Sequence, residues 1–138
     1  AHIEALCIVQ AIDNGDIDWE ADVLAAIHRM SRAKHLITEG LDGLLQWEAK
    51  HQAFHRTIAR GCGSESLLQI RQSLYERTAR YRLMWLRNNM VSEAYFDKNH
   101  REHEQLRECV LNRDREQARQ LMQHHLQMPS LALENLLS

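Results

Sequence analysis

The sequence predicts an all-α fold, an antiparallel bundle of about six helices with no sheet. Three observations predict it. Apolar residues recur three and four apart along most of the chain, the spacing that gathers them on one face of a helix. Residues that interrupt helices are scarce, five glycines and one proline in 138 residues, and they fall between the periodic stretches. No stretch alternates apolar and polar residues as a half-buried strand would, and no hairpin turn is found.

A first helix is already running at Ala1 and ends at Asn14-Gly15-Asp16. A start in mid-helix suggests a piece of a longer chain. Asp18 can cap a second helix, because its carboxylate can accept from the exposed first-turn amides. That helix is expected to continue through VLAAIHRMSRAKHLI toward Gly40. Gly43 breaks the pattern again, and a third helix is expected from about Leu44 to Arg60. Gly61-Cys62-Gly63 makes a turn, and Ser64 is a good cap for a fourth helix, SLLQIRQSLYERTARYRLMWLRNN. Ser92 can cap a fifth that ends near Asn112. Asp114 with Gln117 has capping-box spacing for a sixth, which Pro129 should stop. Residues 1–138 read as one domain, without repeats or low-complexity segments.

Charge and composition narrow the function. The net charge is −2 with histidine neutral, and the pI is about 6.5. Neither value fits a nucleic-acid surface. The basic residues of RQSLYERTARYR alternate with apolar ones, as on a half-solvated helix. No apolar run approaches the roughly 18 residues that cross a bilayer, and no signal-peptide pattern is seen. Cys7, Cys62 and Cys109 are widely spaced and odd in number, so they read as reduced thiols of a cytoplasmic protein, with Cys62 exposed in its glycine turn.

The nine histidines are out of proportion. On the third helix Leu44, His51 and Ile58 lie seven apart, and His55 sits one turn beyond His51 beside Phe54, so two imidazoles occupy the apolar stripe. The fifth helix repeats this with Phe96, His103 and Val110. On the sixth, Ala118, Leu121, His125 and Met128 share a stripe. An imidazole buried without a partner costs on the order of 1–3 kcal/mol. Four of them would weigh heavily on a domain with roughly 5–15 kcal/mol of stability. A shared divalent metal removes that cost by accepting one nitrogen lone pair from each, and facing helices of a bundle can present them. The candidate ligands are therefore His51, His55, His103 and His125. The alternative is four separately satisfied core histidines. His2, His28, His35 and His124 read as surface residues, and His100 as an exposed neighbour.

Other metal architectures fit poorly. Di-iron bundles need two Glu-x-x-His pairs, and Glu48-x-x-His51 stands alone. The His-Glu-x-x-His of zinc proteases is absent, since His103-Glu104 is followed by Gln105-Leu106-Arg107. There is no Gly-rich phosphate loop and no Gly-x-Ser-x-Gly elbow.

The stretches HQAFHRTIARGCGSESLL and REHEQLRECVLNRDREQARQLMQHHL resemble the C-terminal effector domain of the FadR-type branch of GntR transcriptional regulators, the FCD domain. The likeness covers nearly the whole chain. HQAFH, ARYR and MWLR are also similar to one subgroup, carbon-starvation regulators that sense glutarate. The resemblance implies an all-α bundle holding a divalent metal and a small carboxylic acid, an N-terminal winged helix-turn-helix that this chain lacks, and a homodimer. Its ligand set is an Asp four residues before a His, plus two later histidines. Carried across, the three histidines are His55, His103 and His125. The Asp position falls on His51, a departure that leaves open whether His51 is a ligand or instead holds the effector.

Four neutral imidazoles leave the full charge of a divalent ion in place, which favours an anionic effector and metals that suit imidazole, zinc or nickel foremost. An octahedral ion would keep two positions open for a carboxylate, whereas a tetrahedral zinc with four histidines would be closed. For the other end of the acid, Arg71 and Arg82 are nominated, because they share a face of the fourth helix with Tyr75 and Thr78 and arginine grips carboxylates two-pronged. Arg77 and Arg80 are the alternatives. The reading is a ligand-sensing domain of a DNA-binding regulator. The competing readings are a metal-dependent enzyme acting on a small carboxylate, with Glu48 the available base, and a bundle whose metal only staples helices.

Overall fold

The computed structural model describes residues 2–89 and 93–125. Among them are helices α1 (His2–Asn14), α2 (Ile17–Ser31), α3 (Gly40–Arg60), α4 (Glu65–Asn89) and α5 (Glu93–Leu111), with a 3-10 helix at Lys34–Thr38 between α2 and α3. A sixth helix, α6, covers 115–125. The described residues contain no strand, so the expected all-α bundle is what forms. No described helix is long and apolar enough to cross a membrane. The expected roles of Ser92, Met128 and Pro129 lie outside the described residues.

Helix boundaries follow local chemistry, with three corrections. The cap of α2 is Asp16, whose Oδ1 accepts from Trp19 N at 2.8 Å, and not Asp18. The Trp19 indole explains the shift. Its Nε1 donates to the carbonyls of Thr57 and Ile58 at 3.1 and 3.2 Å, which pins the first turn of α2 to the end of α3. Asp18 then lies inside that turn, where its charge suits the helix N-terminus. Second, α2 does not run to Gly40. It ends at Ser31, and the tighter 3-10 turn buries Leu36 and Ile37.

Third, Gly43 does not interrupt α3 but sits inside its first turns. A Cβ there would come within 2.1 Å of the Leu36 carbonyl oxygen, so the missing side chain is what lets α3 lie against the 3-10 helix. Gly43→Ala is therefore expected to destabilise the fold by about 1–3 kcal/mol through overpacking. A melting temperature equal to the parent's in a thermal denaturation would contradict this.

Ser64 and Asp114 cap as expected. Ser64 Oγ accepts from Leu67 N at 3.2 Å, and Asp114 Oδ1 accepts from Gln117 N at 3.2 Å. Arg113, just before that second cap, has φ 55°, a left-handed conformation that costs a non-glycine residue about 1–2 kcal/mol. Its guanidinium offsets the strain by donating to Glu20 and to the carbonyls of Ile12 and Gly15.

Helix α3 is the central element, packed against α1, α2, α4 and the 3-10 helix, while α5 packs on α2. The core has two large parts. One gathers Ile8, Val23, Phe54, Ile58, Leu106, Val110 and Met122. The other gathers Leu36, Leu44, Trp47, Trp85, Leu86 and Phe96. Both α3 and α5 cross from one to the other. On α3 the stripe runs Leu44, Trp47, His51, Phe54, His55, Ile58. On α5 it runs Phe96, Asn99, His103, Leu106, Val110. The histidines stand where the two apolar clusters meet.

A smaller cluster contains Cys7, Ala59, Cys62 and Leu67. Cys62 is buried there, contrary to the exposed position expected, because the turn folds back and Asn14 Nδ2 donates to its carbonyl at 3.1 Å. Burial, with Glu4 nearby, raises the Cys7 thiol to about 12, so it stays protonated.

A candidate metal centre of four histidines

His51 and His55 are one turn apart on α3, His103 comes from α5, and His125 from α6. Their Nε2 atoms converge. His103 Nε2 lies 3.0 Å from that of His51, 3.3 Å from that of His55 and 3.1 Å from that of His125. His51 and His55 are 3.1 Å apart at the same atoms. One nitrogen from each residue lies within 4.8 Å of every other. Two nitrogens that share an ion at about 2.1 Å stand about 3.0 Å apart at a right angle and about 3.4 Å apart at a tetrahedral angle. The four residues thus have the spacing of ligands around a common centre.

Aromatic packing holds the rings in place. Trp47 stacks on His51 with centroids 4.8 Å apart, and Phe54 meets the rings of His55 and His103 edge-on, each at 5.4 Å. His103 is fully buried.

Two carboxylates fix the protons. Glu48 Oε2 faces His51 Nδ1 at 3.1 Å, and Glu102 Oε2 faces His125 Nδ1 at 2.6 Å. An ionised carboxylate only accepts, so both Nδ1 atoms carry the proton and both Nε2 atoms present bare lone pairs to the centre. That leaves at most two N–H protons, on His55 and His103, for four short contacts. A cation at the centre satisfies all four lone pairs, which is the test the donor set passes. His55 Nδ1 and His103 Nδ1 are buried and have no hydrogen-bond partner among the described residues.

The electrostatics also suit a metal. Burial pushes the His55 and His103 rings well below the usual imidazole range, with the neighbouring histidines adding to the effect. Burial lowers His125 as well, against the pull of Glu102. Imidazoles that resist protonation remain available as ligands at neutral pH. Burial alone would raise Glu48, but His51, Gln52 and Arg82 hold it below the usual carboxylate range.

The two nominated arginines are placed differently. Arg71 is buried, not solvated. Its Nε lies 2.6 Å from Glu4 Oε1 on α1, and its Nη2 has no hydrogen-bond partner among the described residues. Its charge is close enough to oppose protonation of His55. Arg82 lies over the Tyr75 ring at 3.6 Å and donates to Thr78 Oγ1 at 2.9 Å, which confirms the shared face of α4. It also reaches Glu48 Oε1 at 3.6 Å. Arg77 and Arg80 are exposed. His2, His28, His35 and His124 are on the surface as expected, whereas His100 is half-buried and stacked on Phe96.

Glu102 and Glu4 were missed by sequence reasoning. Glu48-x-x-His51 leaves a helical-spacing signal, but a contact between α5 and α6 or between α1 and α4 leaves none. Glu48, the base an enzymatic reading would need, is bonded to the ring nitrogen that does not face the centre. An open groove lies along α2 and α3, beside Trp19, Asp22, Lys50 and Thr57, and none of the four histidines lines it.

The FCD domain family matches residues 1–128. The chain belongs to that family, the effector domain of GntR-type transcriptional regulators. Within it, this FCD domain is 41% identical over 130 residues to the HTH-type transcriptional repressor GlaR of Escherichia coli (strain K12), covering 94% of this chain and 58% of that protein. It is 29% identical over 126 residues to the uncharacterized HTH-type transcriptional regulator BphR of Paraburkholderia xenovorans (strain LB400), covering 91% of this chain and 50% of that protein. The chain thus spans 50–58% of the length of these relatives.

Proposed function

We propose that this FCD domain is the ligand-sensing part of a DNA-binding transcriptional regulator, and that it holds one divalent ion on His51, His55, His103 and His125. The convergence of four Nε2 atoms carries the reading. Four neutral imidazoles suit zinc or nickel better than magnesium or manganese. An ion that accepts more than these four ligands would supply a Lewis-acidic position for one carboxylate of a small acid, and glutarate or another short dicarboxylate is the effector class we favour. Arg71 supports the second half of the reading, because a buried guanidinium with an unpartnered Nη2 beside His55 is suited to an anion. Arg82 is already engaged by Glu48, Tyr75 and Thr78, and its part in binding the acid is secondary.

In this reading DNA is contacted by a helix-turn-helix segment outside these residues, as the names of both relatives suggest. The regulator works as a homodimer in the cytoplasm. Ile70, Leu74, Tyr81 and Met84, exposed along one side of α4, support an apolar contact between chains. An acid transmits a signal only if it binds one arrangement of the domains better than another.

The test is a calorimetric titration of the nickel-loaded domain, whose ion can take ligands beyond four histidines, with glutarate and with shorter and longer dicarboxylates. Arg71→Lys keeps the charge but loses the planar fork, and is expected to weaken the acid at least about tenfold with metal content unchanged. Failure of every dicarboxylate to bind the loaded domain would contradict the sensing role.

A further inference from the structure

The carboxylates behind the histidines are placed to do more than satisfy two ring N–H groups. Glu48 is buried and fully engaged: Oε2 takes His51 Nδ1–H, while Oε1 accepts from Gln52 Nε2 at 2.7 Å and faces Arg82 at 3.6 Å. Its orientation is therefore fixed from three sides. Glu102 reaches across from α5 to His125 on α6, so the residue that orients one ligand is next in sequence to another, His103. Among the described residues, His55 and His103 have no such support.

We infer that Glu48 and Glu102 are positioning residues for the ion, turning His51 and His125 into oriented, electron-rich donors and together offsetting the two positive charges that four neutral ligands leave in place. The inference rests on the reading that the four nitrogens share a divalent ion. A carboxylate that accepts from the far nitrogen of an imidazole fixes the tautomer and raises the basicity of the near one. It also places a negative charge across one imidazole ring from the cation, where partial burial makes that charge count for more than at the surface. Among the described residues, the centre therefore has two supported and two unsupported ligands. The supported pair, His51 and His125, should dominate its affinity for imidazole-preferring metals.

Zinc affinity, measured by competition with a chromophoric chelator, tests this in the parent, Glu48→Gln, Glu102→Gln and the control Glu104→Gln, whose carboxylate is on α5 and half-exposed. The glutamine variants keep the shape and remove the charge. Glu48→Gln and Glu102→Gln are each expected to bind zinc about 10–100-fold more weakly, with Glu104→Gln unchanged. In the cobalt-loaded forms, the d–d absorption bands should shift in the first two and not in the third, a signature that a merely structural role would not produce. Should Glu48→Gln fail to fold, Glu102→Gln decides alone. Parent-like affinity in the folded variants would overturn the inference and leave the four-nitrogen centre standing. An equal loss in Glu104→Gln would overturn it too, by showing a general charge effect. A parent that binds no zinc would overturn both the inference and the reading beneath it.

Discussion

His103→Ala is expected to abolish tight metal binding and to remove the stabilisation that metal confers. Three of the four short nitrogen contacts at the centre involve His103, and its ring is fully buried between Phe54 and the other histidines. Loss of a ligand should cost at least the roughly 100-fold that loss of an orienting partner can cost. Metal at a hundred times its dissociation constant stabilises a fold by about 2.7 kcal/mol, so the parent should melt several degrees higher when loaded, and the variant should not respond. The metal-free forms should differ as well, because deleting a buried ring leaves a cavity worth roughly 2–4 kcal/mol. Elemental analysis and thermal denaturation, each with and without a chelator, separate the two effects. Unchanged metal content in His103→Ala would remove the proposed centre.

Acid is expected to unfold the metal-free domain well above the pH at which carboxylates titrate. His55, His103 and His125 are held below the usual imidazole value, chiefly by burial. In the unfolded chain they should titrate near 6.5. Above that value neither state is protonated and these groups add no pH dependence. Below it the unfolded chain takes up protons that the native state refuses, so stability falls as pH falls, until the native values are reached. Each such group contributes up to about 1.4 kcal/mol per pH unit, and three together up to about 4. Against a total of roughly 5–15 kcal/mol, a drop from pH 7.5 to 5 should bring the domain close to unfolding. Glu48 and Glu102 act in the same direction at lower pH, because both are held below their usual range. Zinc should move the acid midpoint downward, since protons and metal compete for the same nitrogens. Helical circular dichroism that stays constant from pH 7.5 to 5 in the chelated protein, with unchanged resistance to urea, would contradict the account.

Much of the bundle was legible because its signals are periodic. The Leu44–His51–Ile58 and Phe96–His103–Val110 spacings put imidazoles on inward stripes, and a helix has little freedom to aim them elsewhere. What could not be read depended on contacts between elements. Asp16 and Asp18 are equally good caps in sequence, and only the Trp19 indole bonding to the end of α3 decides between them. Glycine weakens helices, so in sequence Gly43 reads as a break. In the fold it marks a close backbone approach to the 3-10 helix, which a propensity scale does not contain. Cys62 looked exposed between two glycines until the turn packed on α1. Arg71 gave no sign of burial, since Ile70 and Leu74 beside it on α4 are exposed. The four nitrogens were within reach of sequence reasoning. The carboxylates that orient two of them were not, because Glu102 meets His125 only once α5 and α6 are side by side.

The proposed site requires imidazoles from α3, α5 and α6 to share one ion. X-ray absorption at the zinc edge of the reconstituted domain tests it most directly. One tightly held zinc per chain is expected, with a shell dominated by about four imidazole nitrogens near 2.1 Å and the multiple-scattering pattern of rigid rings. A domain that retains no zinc after gel filtration, or a shell with one imidazole or none, would contradict it.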